Sequence, residues 1–167
     1  ECKNMGFILP DVKTLENYNF LPSLTSIIRF DTSTISGNIN SQVVLSEAGQ
    51  IHLSKKSIYL TSNMWSPNAA ASKCAPNTRC ISPMYWNPWT ASTLVHRFAF
   101  EGPTSKYTYS AHIPWSPLNQ YSMDEDSDTN FRMVTTESWD KTSTRLSILN
   151  SRWKLVWSLS GLAPGEN

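Results

Sequence analysis

The sequence predicts an all-β fold built from repeated four-stranded units, and three observations carry that reading. Thr, Tyr, Trp, Val and Ile recur in short clusters, the residue types that suit a pleated, half-buried surface. Serine and threonine together outnumber all charged residues, and no long Ala-, Leu-, Glu- or Lys-rich stretch offers a helix. Stretches in different parts of the chain also echo one another in the same order. Residues 58–65 (IYLTSNMW) echo 131–139 (FRMVTTESW), residues 92–100 (STLVHRFAF) echo 143–150 (STRLSILN), and residues 107–117 echo 154–164.

Taken in order, the units resolve into strands. Residues 24–31 (LTSIIRFD) resemble the third strand of a unit and residues 39–45 the fourth. The first complete unit places strands at 50–54, 57–63, 92–101 and 106–113. The second places them at 119–124, 130–137, 142–150 and 154–160. Apolar and polar positions roughly alternate at 131–135 and 146–149, as a half-buried strand requires. Lys55-Lys56 and the 126–130 stretch join neighbouring strands as hairpin turns. Units of about 45 to 70 residues with four antiparallel strands read as blades of a β-propeller, and about two and a half blades are present. The organisation is an unassigned segment at 1–20, a half blade at 21–49, a blade at 50–117 with a Cys- and Trp-rich insert at 66–91, and a blade at 118–167.

Composition excludes several classes. Fourteen Lys and Arg against 13 Asp and Glu leave a formal charge of +1, without the basic surplus that nucleic acid selects. No apolar run approaches the roughly 18 residues of a membrane span. Nineteen aromatic residues (six Phe, six Tyr, seven Trp) argue against disorder. The chain opens on Glu1-Cys2 without an initiator methionine and closes on Gly165-Glu166-Asn167, so a mature, processed or excised piece is expected. A propeller ring needs about four to eight blades, so the expected partners are the remainder of a longer chain or further copies of this one.

The cysteines are Cys2, Cys74 and Cys80. Cys74 and Cys80 bracket CAPNTRC, whose Pro76-Asn77 turn folds the segment back and makes a local disulfide easy. Their spacing does not match a zinc site, and free thiols are the competing reading. A disulfide points to an oxidising compartment, hence to a secreted or cell-surface location, and leaves Cys2 for another partner.

Candidate chemistry is sparse. Asp124, Asp126, Asp128 and Asn130 carry oxygens at alternate positions, a spacing that suits a calcium loop. Against it, Thr129 stands where glycine makes the turn, Thr135 replaces the closing acid, and Arg132 brings a cation. The alternative is a solvated hairpin turn, and the reading requires no cofactor. His96 and His112 fall on neighbouring strands, where a metal pair competes with ordinary packing; His52 stands apart. No GxSxG elbow or distinctive Ser–His context is present, so no catalytic residue is assigned. Trp65, Tyr85, Trp86, Trp89 and Trp115 form an aromatic group, four of them on or beside the insert, that could stack on a sugar, anchor a protein, or staple a long loop. Trp153 and Trp157 are placed on the last strand as core or inter-blade residues. The leading expectation is a structural, adhesive or assembly platform without catalysis. Alternatives are a carbohydrate- or ligand-binding module on the Trp-rich insert, or a metal-dependent propeller.

The stretches IYLTSNMW, TLVHRFAFEG, LNQYSMDED, RMVTTES and GLAPGE together resemble a family of secreted bacterial and archaeal proteins with a C-terminal β-propeller domain. The resemblance covers residues 50–167 and is most specific at 118–125. The Cys-containing insert departs from the family pattern, which also continues beyond GLAPGE. The resemblance implies a propeller fold and a secreted or surface location, and it implies no reaction.

Overall fold

The computed structural model describes residues 7–10, 16, 23–30, 39–67, 89–137 and 143–162. Cys2, Cys74, Cys80, Tyr85 and Trp86 lie outside the described residues, and the expected disulfide lies there with them. The described chain forms three sheets. The first contains β1 (Phe7–Ile8), β2 (Leu24–Arg29) and β3 (Asn40–Leu45), in the order β1-β3-β2. The second contains β4 (Ile51–Leu53), β5 (Ser57–Pro67), β6 (Trp89–Glu101) and β7 (Thr104–Pro114). The third contains β8 (Met123–Glu125), β9 (Phe131–Glu137), β10 (Ser143–Leu149) and β11 (Leu155–Leu162). Both four-stranded sheets are antiparallel meanders, as expected.

Two differences from the sequence reading have clear causes. β5 and β6 run on into the stretch assigned to the insert, because Ser66 pairs with Thr90 and Pro67 with Trp89. The segment left unassigned also contributes β1, which pairs in parallel with β3 through Phe7–Val43 and Ile8–Val44. Ile8 secures it by packing against the buried Val44, Leu60 and Phe98.

Turn chemistry sets each hairpin. Gly102-Pro103 joins β6 to β7 in a two-residue loop, with glycine at the positive φ of 56° that a II′-type turn requires. The third sheet builds two loops on one plan. Asp126 Oδ1 accepts from the Asp128 and Asn130 amides, each at 2.9 Å; Asn150 Oδ1 accepts from the Arg152 and Lys154 amides at 3.0 and 3.1 Å. In each loop the fourth residue takes a left-handed conformation, Thr129 at φ 66° and Trp153 at φ 59°. Asp and Asn stabilise such turns by accepting from the backbone two residues on.

The sheets pack face to face, and the register repeats residue by residue. His52 lies opposite Tyr59 in the second sheet as Asp124 lies opposite Arg132 in the third. Arg97 lies opposite Tyr59 as Ile148 lies opposite Arg132. Thr25 opposite Val44 in the first sheet matches Thr93 opposite Ile113 in the second, which aligns Arg29-Phe30 with Arg97-Phe98. Each sheet therefore has a forward face toward the next sheet and a rear face toward the previous one. The first seam is closed by Ile27, Val44, Leu60 and Phe98; the second by Tyr59, Val95, Ile113, Met123, Phe131, Met133 and Leu149.

Candidate functional site

The polar groups of the second seam converge on Glu125, at the end of the three-residue strand β8. Its carboxylate accepts from Arg97 at 3.2 Å and from the Ser57 hydroxyl at 3.3 Å, and Ser54 donates to its other oxygen. Arg97 Nε also donates to Ser57 Oγ at 3.0 Å. Both side chains of the ion pair are largely withdrawn from water, at 10% and 2% exposure. The Tyr59 hydroxyl lies near enough to feel the carboxylate but meets no hydrogen-bond geometry. Burial first, and Glu125 second, hold its phenol well above the ordinary range. Beside this cluster the 52–56 hairpin and the 124–127 turn line a groove of about 580 Å³, bridged by Lys56 Nζ donating to the Ser127 carbonyl.

The first seam holds a Ser–His pair, which sequence reasoning did not single out. His96 Nε2 lies 2.9 Å from Ser46 Oγ, Ser46 meets Ser62, and Ser62 donates to the Glu47 carbonyl. Proton bookkeeping fixes the direction. Ser62 spends its one proton on Glu47, so Ser46 donates to Ser62, and His96 Nε2–H must donate to Ser46. The imidazole therefore cannot act as base toward Ser46 in this arrangement. Its Nδ1 faces the Tyr107 hydroxyl at 3.5 Å. All three of Ser46, Ser62 and His96 are buried, so the pair is closed to substrate. Burial, and next the neighbouring His112, push His96 down to about 4, which keeps it neutral.

Two amide side chains of β3 complete this seam. Gln42 Nε2 donates to the Ser105 carbonyl and Gln42 Oε1 accepts from the Tyr107 amide, both at 2.8 Å. Asn40 Oδ1 accepts from the Ser105 amide at 3.1 Å. Between them they occupy backbone groups along β7.

Within the acidic turn, Asp126 and Asn130 bond to each other, while Asp124 pairs with Arg132. Asp124 is exposed and paired with Arg132 across β8 and β9. Both Asp126 oxygens face the loop, with Oδ2 accepting from Asn130 Nδ2 at 2.9 Å. The Asn130 bonds, first from its side chain, hold the Asp126 carboxyl below the usual range. Asp128 is exposed. Among the described residues, no three His, Cys, Asp or Glu side chains gather as metal ligands.

Of the aromatic group, Trp65 is exposed on β5, and Trp89 opens β6 opposite Pro67. Trp115 stands at φ 68° with the Arg145 guanidinium 4.7 Å above its ring, and its carbonyl accepts from Thr93 Oγ1 at 2.7 Å. Trp153 lies in the turn before the last strand rather than on it. The left-handed turn aims its indole into the second seam, stacked 5.6 Å from Phe131 and 5.9 Å from Tyr59. Trp157 is on β11 and nearly half exposed.

The outer faces of the array carry exposed apolar side chains, and the forward face of the third sheet also carries the Asp124–Arg132 ion pair. On the rear face of β2, Leu24, Ile28 and Phe30 are exposed. Phe30 is 63% exposed, whereas Phe98, at the matching position one sheet later, is fully buried. The forward face of the third sheet carries Val134, Leu146, Ile148 and Leu159, at positions that in the second sheet are Thr61, Val95, Arg97 and Ala111. Val95 is fully buried, but Leu146 is only half-buried and Leu159 nearly half exposed.

A family model described as a beta propeller domain matches residues 9–167. No curated protein and no solved structure matches the chain.

Proposed function

The chain belongs to the beta propeller domain family, and from that premise we propose that it serves as a non-catalytic assembly platform, secreted or surface-located, whose end faces receive further blades. The observation that carries this reading is the forward face of the third blade. It repeats the register of a face that is buried between the second and third blades, and four of its positions carry larger or more apolar side chains: Val replaces Thr61, Leu replaces Val95, Ile replaces Arg97 and Leu replaces Ala111, while Arg132, paired with Asp124, stands where Tyr59 does. A sheet face of this kind is normally covered, and the terminal units of repeat arrays are otherwise made polar. The register favours another blade as its cover. The Cys74–Cys80 spacing supports the oxidising location.

The test is sedimentation velocity of the 167-residue chain over rising concentration. In that solution only a second copy can supply a blade, so the average mass is expected to rise above 18.9 kDa. Leu159→Asp, at an exposed site, is expected to return the mass to that of one chain with an unchanged circular dichroism spectrum. A folded wild-type chain that stays monomeric at hundreds of micromolar overturns the reading.

A further inference from the structure

The end of the second seam away from Glu125 holds three buried donor groups that the described residues do not satisfy. Thr135 Oγ1, Ser147 Oγ and Arg145 Nε are withdrawn from water and meet no hydrogen-bond partner. Thr135 and Ser147 are fully buried. Thr135 lies directly opposite Arg145, and Ser147 follows Arg145 by two residues, so all three stand on the face of the third sheet that packs on the second blade. The Arg145 guanidinium lies 4.7 Å over the Trp115 ring. Among the described residues it enters no ion pair, although Glu137 shares its face.

The first seam shows what fills the matching place. Ser62 and His96 are the counterparts of Thr135 and Ser147, by the register that matches Tyr59 with Arg132 and Arg97 with Ile148. Both bond to one atom, Ser46 Oγ, which the preceding blade contributes. The counterpart of Ser46 in the second blade is Trp115, and two pairs of hydrogen bonds establish the match. The Ser46 amide donates to the Ser23 carbonyl at 2.9 Å, as the Trp115 amide donates to the Ala91 carbonyl at 3.1 Å. Thr25 Oγ1 donates to the Ser46 carbonyl, as Thr93 Oγ1 donates to the Trp115 carbonyl, each at 2.7 Å. The second seam thus exchanges the bridging hydroxyl for an indole, which carries no acceptor atom. It also places Arg145 where the first seam has Leu94, adding a cation to the same spot.

We propose that the second seam binds a chloride ion among Thr135, Ser147 and Arg145, in the place that Ser46 Oγ takes in the first seam. Two hydroxyls and the Nε–H supply its hydrogen bonds, and the guanidinium balances its charge. Trp115 holds the guanidinium in place from the other side. Water suits the site less well, because it brings further protons to a group of donors and leaves the cation without a counter-charge. Burial of all three donor atoms selects a small monatomic anion over a phosphate or a carboxylate-bearing ligand. The site stands whether or not the forward face of the third blade takes another blade.

The probe is sodium chloride, exchanged against sodium gluconate at constant ionic strength in solutions of the 167-residue chain. Chloride is expected to raise the folding equilibrium constant, read from urea titrations, about tenfold. The chloride NMR resonance is expected to broaden in proportion to the protein and to sharpen again when bromide competes. Arg145→Leu installs the residue of the matching position in the second blade, and Thr135→Val keeps the shape and removes one donor. Both are expected to lose the two effects. Equal stability of the parent chain in the two salts overturns the proposal and leaves the donors to water or to Glu137. An equal chloride response in the parent and both variants overturns it too, since that marks a general salt effect. If neither variant folds, the parent's resonance decides: absence of broadening that bromide reverses overturns the proposal.

Discussion

Arg97 of the second blade donates to the buried carboxylate of Glu125 in the third at 3.2 Å, and this contact is made at one seam only. One blade earlier, Arg29 occupies the matching position, but Leu53 stands in the place of Glu125. Arg29 turns instead to the Thr104 carbonyl at 2.7 Å and stacks over Phe100 at 4.6 Å. One blade later the position is Ile148. The repeat therefore fixes the backbone while the polar contents of each seam differ.

Breaking this pair from one side leaves the other charge buried and unpartnered. Glu125→Gln or Arg97→Met is expected to cost about 3–5 kcal/mol. The double change Arg97→Ile with Glu125→Leu, which installs residues the array already uses at these positions, is expected to cost less than either single change. Urea midpoints of the four proteins check this, and additive losses would contradict it.

Gln42→Ala removes two hydrogen bonds to backbone groups of β7. The expected loss is about 1–3 kcal/mol, since the Ser105 carbonyl and Tyr107 amide lose their partners at a half-buried seam. Gln42→Glu is expected to recover little, because a carboxylate can accept from Tyr107 but cannot donate to Ser105. Chemical denaturation of both variants tests the point.

His96 makes stability fall in mild acid. Its folded-state pKa of about 4 lies below the ordinary 6.5, so between those values the unfolded chain binds more protons. Its contribution is fully present above pH 6.5 and is lost as the pH falls toward 4, by about 3 kcal/mol in total. Urea midpoints against pH are expected to show this slope in the parent and a shallower one in His96→Asn. Identical slopes would contradict the assignment.

The four-stranded units, their order and most hairpin turns were legible in the sequence because strand residues cluster and turns carry Gly, Pro, Asp and Asn. The parallel strand β1 was not, since two residues of Phe-Ile form no pattern and their partners lie over thirty residues away. The Ser46–His96 pair was hidden for the same reason: serine is common in this chain, and only the packing of two sheets selects these two. The acidic turn was legible as a hairpin, and the bonds of Asp126 give its acid a local structural role. Trp153 was assigned to the last strand because nothing local marks a non-glycine residue as left-handed, whereas its burial among Phe131 and Tyr59 shows why the turn aims it inward.

The central claim is that one repeating register runs through the described strands and that the rear face of the first blade is exposed where the matching face of the second is buried. The most direct measurement is the denaturant stability of Phe98→Ala beside Phe30→Ala, at a concentration where the chain is monomeric. The two phenylalanines hold the same position in successive blades, one fully buried and one 63% exposed. The account expects a loss of about 3–5 kcal/mol for Phe98→Ala and less than about 0.5 kcal/mol for Phe30→Ala. Equal losses would contradict it.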